Sequence, residues 1–369
     1  MKEMPVTVRR SIEIMGICTL GLVIVVGQSV IMPLLLAAFI SVLLLPIMRW
    51  LIAHRVPEII AITLSIAVLI IVVAGIGTFL SWQIAGFLSD YESIKENLLL
   101  HWNKLSSWIT EQTHLTVNEQ MTVIKKQGKN AGENVTHYFS DAFSSLSNLF
   151  VFAGLVPVYV FLILFYRNLL VRFIYLWFDE EQHPRVREAT RETEVIVKYY
   201  LVALLIQIAY LTILLGGILM VLGIKHAILI GITFAILNLI PYIGALIGNI
   251  IGVLLTLTTS QDMWQIWAVL GTIALVQFLD NNILMPRIVG SRVKINALMS
   301  IVGIVLGGTL AGVSGMFLSI PVMAVLKIMF DKSPNLKQWG YLLGDDRPDK
   351  SVFFNTAWRN NNDIADNGK

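Results

Sequence analysis

AILIGITFAILNLIPYIGALIGNIIGVLLTLTTSQ, Ala227 to Gln261, carries no charged side chain and has Pro241 near its middle. As one helix it would extend roughly 45–50 Å, well beyond a hydrocarbon core of about 30 Å. A tilted helix absorbs part of that excess. Two short helices meeting at a break inside the membrane absorb it better, because Pro241 lacks the backbone donor a continuous helix needs. Such breaks are tolerated where they line a cavity or pack within protein.

The same problem recurs downstream. Ala297 to Leu326 is again uncharged and overlong, and is interrupted by Gly307, Gly308, Gly312 and Gly315. Each long run follows a span-length apolar segment, Tyr199–Ile224 in the first case and Trp264–Leu279 in the second. The unit is a span followed by an interrupted run, and it occurs twice. Charge then chooses between foldings. If both long runs are re-entrant hairpins, Arg287, Arg292 and Lys294 lie inside, together with Lys327, Lys332 and Lys337. If both are plain spans, the Arg287 cluster lies outside, against the positive-inside rule. The sequence therefore predicts two hairpins in units of opposite orientation, the pattern that points to a transporter site.

Composition agrees about the solvent. The chain is 56% hydrophobic and 14% charged, with nine Trp and seventeen Phe, and its mean hydropathy is +0.75. Several windows longer than about 18 residues are free of charge, as helices crossing a bilayer require. A single cysteine, Cys18, excludes a disulfide framework and a thiolate metal cluster. The expected fold is an all-α polytopic membrane protein, with about six full spans and two re-entrant hairpins in inverted repeats.

The rest of the chain is divided by charge. Residues 1–80 are read as a membrane hairpin and a third span. Ser11 to Met48 is interrupted only by Glu13 and is too long for one span or a cleaved signal, so Pro33 is expected to mark a tight turn between two helices. Lys2, Arg9 and Arg10 before it, and Arg49 and Arg55 after it, place both ends in the cytoplasm. Residues 81–145 form an external amphipathic helical segment with five Lys, no Arg and seven acids. Its apolar positions, Ile94, Leu98, Leu105 and Ile109, then Val135, Phe139, Ala142, Leu146 and Leu149, recur at helical spacing. Residues 146–198 hold a fourth span and a cytoplasmic helix, where Arg reappears. The transport core is 199–328, and 329–369 is a cytoplasmic polar tail.

The sharpest polar feature is FLDNNILMPRIVG, Phe278 to Gly290. Asp280 is the one carboxylate beside the core of either repeat, apart from Asp262 at the outer boundary. With Asn281 and Asn282 it would hold a cation or a proton, or accept hydrogen bonds from hydroxyls. The alternative is an anchor in which Asp280 pairs with Arg287 and fastens the turn. Asn238, Pro241, Tyr242 and Gly244 form the facing break. Gln207, Gln277 and Asn249 read as interhelical glue, with Gln277 adjoining the pathway. Gly307, Gly308 and Gly312 allow close backbone approach in the second hairpin.

Gly312-Val313-Ser314-Gly315 matches the nucleophile pattern of an intramembrane serine protease, but His226 is the one histidine near a membrane segment of this half, and it sits at a boundary. No Walker A sequence occurs, no cofactor is implied, and nothing suggests nucleic-acid binding or an enzyme. The competing non-enzymatic reading is a passive oligomeric channel, or a membrane scaffold binding a partner through its outer helices.

Three motifs in order, NLIPYIGALIG (Asn238–Gly248), DNNILMPRIVG (Asp280–Gly290) and SIPVMAVLK (Ser319–Lys327), resemble the autoinducer-2 exporter family of bacterial inner-membrane transporters. The similarity extends over about residues 10 to 345, including YLLGD (Tyr341–Asp345). It implies a homo-oligomeric secondary transporter, pentameric and elevator-like. Its solute would be a small quorum-sensing signal, or monovalent cations exchanged against protons. The Asn- and Asp-rich tail falls outside the resemblance.

Overall fold

The computed structural model describes residues 6–113, 154–240, 243–288, 295–333 and 336–345, and every regular element among them is helical. Five segments are long and apolar enough to cross a membrane, or six if one bent pair counts as a span.

The first is α1, Val6–Ala53, a single helix with Pro33 and Pro46 inside it. The turn expected at Pro33 is absent, and so is the N-terminal membrane hairpin. The reason is local: around Pro33 the sequence reads SVIMPLLLAAF, with none of the Gly, Asn or Asp that a tight turn uses. Packing also holds the helix on both sides of the proline, since Met32, Ala37 and Phe39 are all buried. Kinking costs less there than opening a full turn of backbone.

After Arg55, which adopts the left-handed conformation (φ 64), α2 runs Glu58–Ser89 and α3 runs Tyr91–Thr113. The second amphipathic pattern, Val135 to Leu149, lies outside the described residues. The chain resumes with α4, Gly154–Phe165, which bends by 66° into α5, Arg167–Leu176. Ala37, Leu44 and Met48 of α1, Ala61 and Ile62 of α2, and Val160 and Leu164 of α4 close one core.

The central element is α6, His183–Val221. One side buries Leu211, Leu215 and Leu219 against Ile230 and Phe234 of α7 (Ala227–Leu237) and Val269, Ile273 and Val276 of α9 (Met263–Leu279). Between α7 and α9, α8 (Ile243–Thr259) folds back along α7. Glycines record the fit: a Cβ on Gly244 would collide with the Leu237 carbonyl, and one on Gly248 would lie 2.6 Å from the Phe234 ring. Gly252 faces Ile230 one step further out. Paired positions that separate symmetrically from the break define an antiparallel hairpin.

The last long helix, α11 (Ala297–Lys332), is interrupted by non-helical backbone at Ala311 and at Gly312 (φ 61, ψ −144). Its two arms lie against each other. A Cβ on Gly307 would strike the Gly315 carbonyl, one on Gly315 the Gly307 carbonyl, and one on Gly303 would sit 3.1 Å from Met323. In a straight helix residues 303 and 323 would be about 30 Å apart. The segment is apolar enough for a span, but it is folded double.

Ion pairs and caps sort the molecule into two ends. At one end Arg49 pairs with Glu194, Arg167 with Glu58, and Lys332 with Glu188 and Glu192. There too the Asn296 side chain donates to the carbonyls of Leu342 and Gly344, in and after α12 (Lys337–Leu343). At the opposite end Asp90 meets Lys225 and His226. Beside that contact α3 reaches the α8–α9 turn: Asn97 donates to Thr258 O at 3.0 Å, His101 Nε2 lies 2.7 Å from Ser260 O, and Lys104 reaches Gln261 O at 3.4 Å. These three residues share one face of α3. Replacing Asn97 and His101 together by Ala removes about 1 kcal/mol per bond. Hydrogen exchange in α3 should therefore rise roughly 30-fold, and unchanged protection would show that the clasp is idle.

Candidate functional site

Asp280 ends α9, and the chain continues into a five-residue π turn, Asp280–Leu284, closed by Met285 N–H donating to Asp280 O. Then α10, Met285–Ile288, follows. A π turn widens the helix and changes which side chains share a face. Here it separates Asp280, 1% exposed, from its exposed neighbours Asn281 and Asn282.

Three neutral donors surround the carboxylate. Gln207 Nε2 donates to Oδ2 at 3.0 Å, Asn238 Nδ2 donates to Oδ2 at 3.2 Å, and the Tyr210 hydroxyl donates to Oδ1. Gln207 and Tyr210 are three residues apart on α6 and face the same way. Asn238 caps the C-terminus of α7, where the first hairpin breaks. The site thus draws on a central helix, a hairpin tip and a helix end. Gln207 Oε1 is buried and has no partner among the described residues.

Two further groups approach this level of α6. Leu239, beside the first break, and Ala311, at the tip of the second hairpin, pack against one cluster containing Tyr200, Leu201 and Leu204. Tyr200 is also buried, with its hydroxyl unpartnered among the described residues, and it lies seven residues, about two turns, before Gln207 on the same face. Both tips therefore flank the stretch of α6 that carries the polar groups.

The remaining sequence-derived residues divide clearly. Gln277 Nε2 donates to Asn281 Oδ1, and Asn282 donates to the Phe278 carbonyl, so these amides serve the π turn. Arg287 is exposed, and among the described residues no ion pair joins it to Asp280. The anchor reading of Asp280 through Arg287 has no geometry behind it. Gly244, Gly307 and Gly315 sit at backbone–backbone contacts, whereas Gly308 faces the flexible Met316 side chain and Gly312 has open space around it. Pro241 and Tyr242 lie outside the described residues. His226, the base the protease pattern would need, is bonded to Asp90 at 3.2 Å and packs against Phe87.

Sequence reasoning passed over Tyr210 and treated Gln207 as glue. The available signal was their spacing: Gln207 and Tyr210 stand three residues apart, on one face of an uncharged run.

Among the described residues Asp280 accepts from uncharged donors, and an ionised carboxylate held in this way keeps a negative charge that a proton or a cation would compensate. The sequence profile of the AI-2E family transporters matches residues 14–335. The chain belongs to that family. Among curated relatives, YrrI of Bacillus subtilis, which carries a provisional transport-protein name, is 27% identical over 317 residues, 82% of this chain and 86% of YrrI. YhhT of Escherichia coli K12, similarly named, is 23% identical over 87% of this chain and 90% of its own. The AI-2 transport protein TqsA of the same strain is 22% identical over 86% of this chain and 90% of its own. This AI-2E family protein is therefore a multi-pass membrane transport protein.

Proposed function

We propose that the protein is a secondary transporter of the bacterial inner membrane. It would move a small polar solute in exchange for, or together with, a monovalent cation or proton that binds at Asp280. The observation that carries this reading is Asp280 itself: a carboxylate 1% exposed, bonded among the described residues to neutral partners, beside the break of a helical hairpin. An ionisable group held this way within a membrane segment functions by changing its partner or its proton.

In this proposal the two hairpins re-enter the membrane from opposite sides. The roots of α7–α8 are both tied to the α2–α3 segment, through Asp90 and through Asn97 and His101. The roots of α11 both lie at the other end, through Asn296 and Lys332. Units of opposite orientation whose broken helices meet midway are the architecture of alternating access. An elevator-like displacement of one unit against its surroundings, in a homo-oligomer, is the motion this arrangement suits. With α1 unbroken from Val6 to Ala53, its start would lie on the face opposite Arg49 and Lys332, so the reading keeps the C-terminal end of α11 cytoplasmic and gives up a cytoplasmic N-terminus.

The test has two parts. In proteoliposomes with imposed Na⁺, Li⁺, K⁺ or H⁺ gradients and small polar solutes, flux should saturate and follow one gradient. Conductance that does not saturate would identify a channel, and no flux at all would leave a scaffold. Single cysteines at Lys225, Gln261, Ile295 and Ser333 on a Cys18→Ser background should then label in two pairs, the first two on one face and the last two on the other. Labelling of Lys225 and Gln261 from opposite faces would end the re-entrant reading.

A further inference from the structure

We propose that α5 is an interfacial helix that seats on anionic phospholipid at the Arg-rich end of the molecule. Three observations lead there. First, α5 leaves the α4 axis by 66° at Tyr166–Arg167, so it runs closer to the plane across the span than along it. Second, both of its ends are fastened at the level where spans begin. Arg167 donates to Glu58 Oε1 at 2.6 Å and to Leu164 O at 2.9 Å. At the far end His183, which opens α6, lies 3.1 Å from the carbonyls of both Tyr175 and Phe178. Third, no residue of α5 is buried.

What α5 leaves uncovered has two faces. At 100° per residue Asn168, Arg172 and Tyr175 fall in one narrow sector, while Leu169, Leu170, Phe173 and Ile174 fill the opposite arc. Leu169 is 61% exposed, Phe173 53%, and Trp177, just past the helix, 75%. An apolar arc of this size facing water would be an aggregation surface. Against a bilayer boundary it buries in acyl chains, the indole sits at headgroup depth, and the guanidinium on the polar edge meets phosphate oxygens. With Arg167 held by Glu58, Arg172 is the charge α5 has left to offer, and no acid lies between Arg167 and Leu176, so the favoured headgroup is anionic.

The full-length protein carries the test. Single spin labels at Leu170, Phe173 and Asn168, on a Cys18→Ser background, are placed in vesicles of phosphatidylcholine alone or mixed with phosphatidylglycerol. Collisions with oxygen and with a soluble nickel complex are then compared. Labels at Leu170 and Phe173 should favour oxygen, at a depth of about 5–10 Å, and the label at Asn168 should favour nickel. With phosphatidylglycerol removed, or with Arg172→Gln in its presence, nickel collisions at Leu170 should rise about fivefold, the weight of one Arg near an anionic surface. Nickel access along the whole helix would overturn the proposal, as would labels at mid-bilayer depth. Shielding of Leu170 from both reagents would assign the face to a second copy instead. Identical depth in both lipids would remove the anionic headgroup from it.

Discussion

Asp280→Asn is expected to lower coupled flux about 10- to 100-fold, with assembly and insertion retained. The amide keeps the volume and accepts from only one oxygen, so Gln207, Asn238 and Tyr210 are left competing for it. Hydrogen bonds to a charged group are worth about 1.5–3 kcal/mol each, and every 1.4 kcal/mol is tenfold in binding. The loss of charge also removes whatever cation or proton the carboxylate held. Gln207→Leu, which deletes one donor and keeps the charge, should weaken apparent ion affinity while sparing the maximal rate at saturating ion. Flux assays over an ion titration separate the two variants. Wild-type coupling in Asp280→Asn would take Asp280 out of the pathway.

The second large effect concerns the folded-back pairs. Gly244→Ala and Gly315→Ala each set a methyl against a main-chain carbonyl, that of Leu237 in one hairpin and of Gly307 in the other. Backbone cannot rotate aside as a side chain can, so each change should cost about 3 kcal/mol, the upper end of ordinary overpacking. Gly308→Ala meets Met316 Cε at 2.6 Å, the far end of a flexible side chain, and should cost well under half as much. Gly217 has nothing within 4 Å of a Cβ, and Gly217→Ala should be neutral or slightly stabilising, by up to about 1 kcal/mol. Thermal unfolding in detergent, followed by tryptophan fluorescence, ranks the four. Equal stability of Gly244→Ala and Gly217→Ala would mean that the hairpins are not closely paired.

Both fold-backs were legible because proline and glycine act on their own backbone, and a run too long for a bilayer has to be accommodated somehow. The rule failed at Pro33, where the same residue type leaves a helix continuous. A proline opens a turn only where its neighbours offer turn chemistry, and around Pro33 they are Val, Ile, Met and Leu. Asp280 was visible as a carboxylate in apolar sequence, and Asn238 as a polar residue at a break, and the two lie together. Their partners on α6 were not visible as partners. Which face of α6 meets α9 is decided by packing of Leu211, Leu215 and Leu219 against other helices, which no local pattern encodes. Glycine counting likewise overrated Gly308, since the register of the two arms selects Gly307 and Gly315 for the backbone contact.

The clasp between α3 and the α8–α9 turn has a consequence for how this protein can be altered. Asn97, His101 and Lys104 all address main-chain carbonyls, those of Thr258, Ser260 and Gln261. Side-chain changes in the turn leave those oxygens in place, so the turn is free to vary while the grip persists. These three contacts are loosened from α3, one residue at a time. Control over the root of the first hairpin is thereby vested in α3, where substitutions tune it without touching α7, α8 or α9.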